Sequence, residues 1–210
     1  MTRGPSHRAL RIVRERSAAI SVRVRAAVAS APAGGSDFAE AAYRATDAEA
    51  ERVLGQPGAV APACKRGCSY CCHVDVEATS AEIDAIVAHL AGSRSSVEVD
   101  ALVAELSRSG ALSGEQRWAA RIPCAFLAPD QSCSIHPVRP LRCRAFHSCD
   151  VERCKDAFDG KGDDEPVMND ALARAYDAAE AGLDEALEER GVSAAPELLE
   201  MGVLRRLRAT

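Results

Sequence analysis

Residues 64–72 read CKRGCSYCC, a stretch that places four cysteines within nine positions. The chain of 210 residues holds nine cysteines in all, and the other five follow later. In a reducing compartment so many thiols, two of them adjacent, indicate metal ligation rather than a disulfide framework. The first candidate ligands are therefore Cys64, Cys68, Cys71 and Cys72.

The later cysteines lie mostly in three short motifs, IPCAFL, CSIHPVRPLRC and ERCKDA. Thiolates are soft ligands that select zinc, copper(I) or iron–sulfur clusters over hard cations. Eight thiols are enough for two four-cysteine sites, or for one cluster and a zinc ion, and the sequence leaves their partition open. The candidate ligands in these motifs are Cys124, Cys133, Cys143 and Cys154.

The rest of the chain has the composition of a helical protein. Its hydrophobic fraction of 47% is rich in alanine and branched aliphatic residues, and only 4% of the residues are aromatic. Apolar residues recur at spacings of three and four through most of the sequence, as on one face of a helix. We predict a mainly α fold, in which a helical scaffold surrounds an irregular cysteine-rich core with one short β-hairpin.

Local signals place the ends of these elements. Ser36 is predicted to cap a helix that ends near residue 54, and Thr79 with Glu82 forms a capping box for the next helix in the core. Another helix is predicted to begin at Ser113, and the last at Pro196. The predicted hairpin spans residues 122–136 and brings Cys124 near Cys133 across the turn at 129–132.

Charge is distributed unevenly along the chain. Residues 1–30 carry seven arginines and one glutamate, a net charge of +6, whereas the whole chain has −5. We divide the chain into a basic amphipathic arm at 1–35, a cysteine-cluster domain at 36–160 and a helical extension at 161–210. The arm lacks interleaved aromatic residues and the remainder is acidic, so nucleic acid is not the expected partner. No apolar run approaches membrane-spanning length, and we expect a cytoplasmic protein that does not bind membranes.

Residues 64–72 also contain a second known cysteine motif. The spacing C-x3-C-x2-C from Cys64 to Cys71 is also found in radical S-adenosylmethionine enzymes. That chemistry needs a barrel of alternating strands and helices, whereas the residues after Cys72 indicate helices almost throughout. The radical S-adenosylmethionine motif is therefore an alternative interpretation of these cysteines, which would require a barrel of strands and helices around them.

The order of the motifs adds a resemblance. CKRGCSYCC, IPCAFL, CSIHPVRPLRC and ERCKDA together resemble the YkgJ-like cysteine-cluster family, also described as the CxxCxxCC zinc- or iron-chelating domain, over about residues 60–160. The resemblance implies that the eight motif cysteines are the ligands and that Cys149 is left over. The family is similar in cluster spacing to the flagellin lysine methylases, whose comparable cysteines are associated with an iron–sulfur cluster.

The expected function is metal binding, with a zinc ion or iron, including an iron–sulfur cluster, as the cofactor. Two alternatives remain open at this stage: a cluster-dependent protein-modifying enzyme, either lysine methylase-like or of the radical S-adenosylmethionine type, and a structural zinc module that binds another protein. His73, His136 and His147 lie near the cysteines and are candidates either for ligation or for hydrogen bonds to sulfur. No catalytic residue is assigned.

Overall fold

The structure is a computed structural model that describes residues 7–32, 34–110, 112–162 and 165–209. It is mainly helical, which confirms the predicted fold class. The helices are α1 His7–Ala29, α2 Gly35–Leu54, α3 Ser80–Ser93, α4 Ser96–Ser109, α5 Gly114–Ala120, α6 Leu141–Ala145, α7 Val151–Phe158, α8 Asp170–Glu189 and α9 Leu199–Ala209. Two short strands, β1 Glu77–Ala78 and β2 Glu197–Leu198, pair antiparallel.

Capping boxes open three successive helices. At α3 the Thr79 side chain accepts from the Glu82 amide, and the Glu82 carboxylate accepts from the Thr79 amide at 2.9 Å, as predicted. Each box satisfies backbone N–H groups that would otherwise lack partners at a helix start. The same arrangement opens α4 at Ser95 with Glu98, and α5 at Ser113 with Gln116.

Two predicted helix starts differ from the structure. Helix α2 begins at Gly35, with Gly34 at the cap, so Ser36 lies inside the first turn. A side chain at position 35 would collide with Asp84, and the absence of a Cβ lets the helix start there. Helix α9 begins at Leu199 rather than Pro196, because the preceding residues form β2.

The strand pairing also differs in place from the predicted hairpin. The two strands that pair, β1 and β2, are far apart in sequence, and the Leu199 amide extends their contact by donating to the Val76 carbonyl at 2.8 Å. Within the predicted hairpin, Leu127 and Cys133 form one antiparallel bridge. The segment turns back on itself as expected, although its ladder is too short to count as two strands.

Helix α3 joins two hydrophobic clusters. One cluster combines α3 with α1, α2 and α8, and in it α1 buries Ile20, Val24 and Val28. The other cluster places the opposite side of α3, including Ile83 and Ile86, against α4, α9 and the segment around Phe126. Cys124, Cys133 and Cys143 pack against this second cluster, so α3 links the four-helix cluster to the cysteine-bearing segments.

Two arginines of α1 face acidic residues of the helices on which it packs. Arg23 pairs with Glu49 of α2, and Arg25 pairs with Glu185 and Glu189 of α8. The division of the chain at residues 35 and 160 remains a prediction. Across the described ranges, none of the helices combines the length and the apolar character needed to cross a membrane.

Candidate metal centre

The first cysteine motif forms an irregular loop followed by a short 3-10 turn, Tyr70–His73. Gly67 has φ of 87°, a left-handed conformation that glycine adopts without steric cost. The turn it makes is closed by the Cys68 amide, which donates to the Lys65 carbonyl at 2.9 Å. Cys64 and Cys68 therefore lie in the irregular part of the motif, whereas Cys71 and Cys72 lie in the 3-10 turn.

The predicted ligands surround two adjoining cavities, which we call the small chamber and the large chamber. The small chamber has a volume of about 150 Å³, and its cysteines are Cys64, Cys68, Cys71 and Cys154. The large chamber has a volume of about 410 Å³, and its cysteines are Cys71, Cys72, Cys124, Cys133 and Cys143. The structure thus places all eight predicted ligands around one pair of cavities, although they come from segments up to 90 positions apart.

Three residues line both chambers and form the wall between them. They are Cys71, Val74 and Phe146. The thiols of Cys71 and Cys72 are hydrogen-bonded to one another, and this contact, followed by burial, raises the pKa of Cys71 well above its usual range. The adjacent cysteines therefore lie at the boundary, with Cys72 on the large-chamber side.

The segment around Cys124 is attached directly to the first motif. The Cys124 amide donates to the Cys72 carbonyl at 2.7 Å. Behind it, the Leu127 amide donates to the Cys124 carbonyl at 2.9 Å, and Leu127 forms the bridge with Cys133. These bonds bring Cys124 and Cys133 to the same wall of the large chamber.

A buried ion pair fixes the other side of this segment. Glu200 of α9 accepts from the Ala125 amide at 2.8 Å and receives both terminal nitrogens of Arg117 at 3.0 Å. Only 6% of each of the two charged side chains is exposed. Arg117 also donates to Asp75 at 3.0 Å, and the Ser109 hydroxyl donates to Glu200. These residues line the large chamber and hold Cys124 in place.

Sequence reasoning did not single out Arg117 or Glu200. Charged residues on helices are usually solvated, and their pairing depends on how α5 and α9 pack. The only sequence signal was an acid inside the otherwise apolar and basic stripe of α9, which carries Leu199, Val203 and Leu204 in its buried face. The packing of α9 beside α5 shows that this acid pairs with Arg117.

A second buried carboxylate holds Cys143. The short helix α6 begins at Leu141, whose amide donates to Glu82 Oε1 at 2.8 Å. Glu82 is buried, and burial raises the pKa of its carboxyl even though it accepts hydrogen bonds from Thr79 and Leu141. The capping residue of α3 therefore also determines where α6, and with it Cys143, lies.

Backbone contacts fix the two ends of the small chamber. The Ala63 amide donates to the Ser148 carbonyl at 2.8 Å, and the Ser148 amide lies 3.4 Å from the Cys64 sulfur. Cys154 lies on α7, which is capped by Asp150 and carries Phe158. The Phe158 ring packs against Tyr70 with a centroid separation of 5.6 Å, and so docks α7 on the first motif.

The three histidines differ in their surroundings. His147 is 5% exposed, its Nε2 accepts from the Asn169 amide at 3.0 Å, and its Nδ1 lies 2.8 Å from the Ala145 carbonyl. Both ring nitrogens therefore have backbone partners. His73 directs Nδ1 at the carbonyls of Ser69 and Tyr70. Burial, followed by the charges of nearby arginines, lowers the pKa of His136.

Cys149 lies outside both chambers. It lines a separate groove beside Val60 and Asn169, and its sulfur is 3.9 Å from the Val60 carbonyl. Its amide donates to the Val167 carbonyl at 2.7 Å. Its position agrees with the distinction drawn from the motifs between Cys149 and the other eight cysteines.

Burial favours the neutral form of three thiols of the large chamber. Burial raises the pKa of Cys143 to about 12, and it also raises the pKa of Cys133. For Cys124 burial is again the main cause of a raised pKa, followed by the negative charge of Glu200. A cation in the chamber would reverse this preference, because a coordinated thiol is deprotonated.

Arg139 is the cation that faces these thiols. It lines the large chamber, and its charge acts against burial by lowering the pKa values of Cys71, Cys133 and Cys143. Within the described part of the chain, its buried Nε has no hydrogen-bond partner. By contrast, Arg142 pairs with Glu180 at 2.7 Å and Arg66 pairs with Asp130 at 3.0 Å.

The chambers fit a thiophilic metal in donor type and donor number. Each chamber is bordered by at least four cysteines, which is the complement of a structural zinc site or a cluster. Among the described residues, no group of three or more His, Cys, Asp or Glu side chains is already arranged as a metal site. The fit is therefore one of donor type, donor number and placement.

Comparison with known proteins identifies a family for this part of the chain. Residues 63–165 match the model of the CxxCxxCC family, described as a "putative zinc- or iron-chelating domain". This segment, just under half of the chain, contains the eight predicted ligands and also Cys149. The match confirms the resemblance noted from the motifs. No curated protein and no solved structure gives a significant match.

Proposed function

We propose, from the premise that residues 63–165 form a CxxCxxCC domain, that this protein chelates zinc or iron through eight cysteine thiols. One observation carries the proposal. The eight motif cysteines border two adjoining chambers, whereas the ninth, Cys149, lies in a different groove. A reason to collect eight thiols from four segments is a ligand that binds sulfur.

Bound to zinc, the thiols would be deprotonated, with sulfur about 2.3 Å from the ion. Arg139 would favour the deprotonated form, because it lines the large chamber with a positive charge. Glu200 and Glu82 would keep the segments of Cys124 and Cys143 in place, because they accept hydrogen bonds from the amides of Ala125 and Leu141.

The bound group would serve as a cross-link between distant segments. It would join the loop at residues 64–72 to the turn at 124–133 and to α6 and α7. Zinc would supply structural stability alone, whereas an iron–sulfur cluster would also supply one-electron transfer. In either case Arg117 and Glu200 keep the Cys124 segment in position, and Phe158 keeps α7 against the first motif.

Anaerobic purification, followed by metal analysis and visible absorption, tests this function. We expect zinc, or iron with the absorption of an iron–sulfur cluster, in the purified protein. Cys143→Ser should lower the metal content, and Cys149→Ser serves as the matched control that should leave it unchanged. A colourless protein that contains neither metal, and that takes up neither on reconstitution, would contradict the proposal.

A further inference from the structure

We infer that the eight thiols form two separate metal centres of four cysteines each, divided between Cys71 and Cys72. The small-chamber centre would use Cys64, Cys68, Cys71 and Cys154, and the large-chamber centre would use Cys72, Cys124, Cys133 and Cys143. This inference rests on the proposed function and adds the number of centres and the ligands of each.

The residues that line the two chambers support this division of the ligands. Three ligands line the small chamber alone and four line the large chamber alone, so only Cys71 borders both. Assigning Cys71 to the small chamber completes four thiols there and leaves four in the other. Val74 and Phe146 also line both chambers and lie with Cys71 at their boundary.

The vicinal pair explains how one loop supplies both centres. Cys71 lines both chambers, whereas Cys72 lines the large chamber alone, although the two thiols contact each other. The backbone of Cys72 also binds the large-chamber segment, since its carbonyl accepts a hydrogen bond from the Cys124 amide. Cys72 is thereby tied to the large-chamber segment, while Cys64 and Cys68 remain beside Ser148 and α7.

The two centres would stabilise different parts of the molecule. The small-chamber centre joins the start of the first motif to α7. The large-chamber centre joins the end of that motif to the 124–133 turn and to α6. Hydrogen bonds to Glu82 and Glu200 hold the large-chamber segments, and Phe158 holds α7 against the first motif. Removing one set of ligands should therefore leave the other centre able to bind.

Titration of the reduced, metal-free full chain with Co²⁺ under anaerobic conditions tests the division. Thiolate-to-cobalt charge-transfer absorption reports sulfur ligation, and metal analysis after desalting gives the stoichiometry. We expect about two Co²⁺ ions per chain for the wild type, each in a four-thiolate site. The matched variants are Cys64→Ser/Cys154→Ser and Cys124→Ser/Cys133→Ser, each of which should retain about one ion.

Different results of this titration would overturn the two-centre division and the proposed function. Binding of about one ion by the wild type, lost in both double variants, would overturn the two-centre division and support a single shared centre. No binding and no charge-transfer band in the wild type would overturn the proposed function itself. Cys149→Ser should bind as the wild type does. Far-UV circular dichroism identifies a variant that has failed to fold, and the wild-type stoichiometry tests the division without any variant.

Discussion

The backbone amide of Cys124 donates a hydrogen bond to the carbonyl oxygen of Cys72, with an N···O distance of 2.7 Å. This bond joins the last residue of the first cysteine motif to the first residue of the second. It is a bond between backbone groups, and it holds two of the proposed ligands at the edge of the large chamber.

Glu200 is predicted to stabilise both the fold and the large chamber. Glu200→Ala leaves Arg117 buried without its main partner and releases the Ala125 amide. Because breaking a buried ion pair by removing one partner is strongly destabilising, we expect a loss of about 3–5 kcal/mol in unfolding free energy, measured by urea denaturation. The control is Glu185→Ala, which removes an exposed partner of Arg25 and should cost less than about 1 kcal/mol. Equal effects of the two variants would contradict this role.

Arg139 is predicted to strengthen metal binding in the large chamber. Arg139→Met keeps much of the side-chain volume but removes the charge beside Cys133 and Cys143. We expect the affinity for zinc, measured by competition with a chromophoric chelator, to fall about fivefold, equivalent to about 1 kcal/mol. Arg139→Lys should recover part of the loss. Arg66→Met, at an exposed arginine paired with Asp130, should leave the affinity unchanged. An unchanged affinity in Arg139→Met would argue against this role.

Metal uptake is predicted to release protons. Burial raises the pKa values of Cys124, Cys133 and Cys143, which favours the neutral form of these thiols at pH 7. Each must be deprotonated to bind, and the affinity should therefore rise with pH between 6 and 8. Calorimetry in buffers of different ionisation enthalpy counts the protons. Zinc binding that releases none would show that these thiols do not ligate.

Glu180 is predicted to make stability fall as pH rises. Burial outweighs its pairing with Arg142 and raises its pKa to about 7, and one carboxylate oxygen is buried with no hydrogen-bond partner in the described structure. A carboxyl whose pKa is raised on folding stabilises the protein below its unfolded pKa of about 4.3, and that contribution is lost as pH approaches 7. Glu180→Gln should therefore be near neutral at pH 5 and stabilising by about 1 kcal/mol at pH 8, after allowance for solvent screening.

The unfolding free energy of wild type and Glu180→Gln at the two pH values provides the check. The matched control is Glu185→Gln on the same helix, since Glu185 is exposed and pairs with Arg25. It should show no pH-dependent difference from the wild type. Asp184, whose pKa burial raises to about 6, contributes in the same direction and remains in both variants. A Glu180→Gln effect that is the same at both pH values would refute the assignment.

Features encoded by neighbouring residues were predictable from the sequence. The capping box of Thr79 and Glu82 needs two residues three positions apart, and its geometry follows from the helix itself. The motif cysteines were recognisable for a similar reason, because short spacings in a loop indicate a common ligand. The turn near Cys124 and Cys133 was located correctly, although it closes with a single bridge.

Features that depend on distant packing were not predictable. The β1–β2 pairing joins residues 77–78 to 197–198, and neither segment is long enough to show a strand pattern. The role of Glu200 depends on the contact of α9 with α5, which no local pattern encodes. The partition of the thiols depends on where Val74 and Phe146 lie between the chambers, and on the position of α7 relative to the first motif.

X-ray absorption at the metal edge of the loaded protein tests the proposed ligation most directly. Cysteine-only coordination predicts a first shell of sulfur atoms alone, at about 2.3 Å from the metal for zinc. The spectrum of Cys149→Ser should be the same, since this cysteine borders neither chamber. A first shell made of nitrogen or oxygen atoms would contradict metal chelation by the eight thiols.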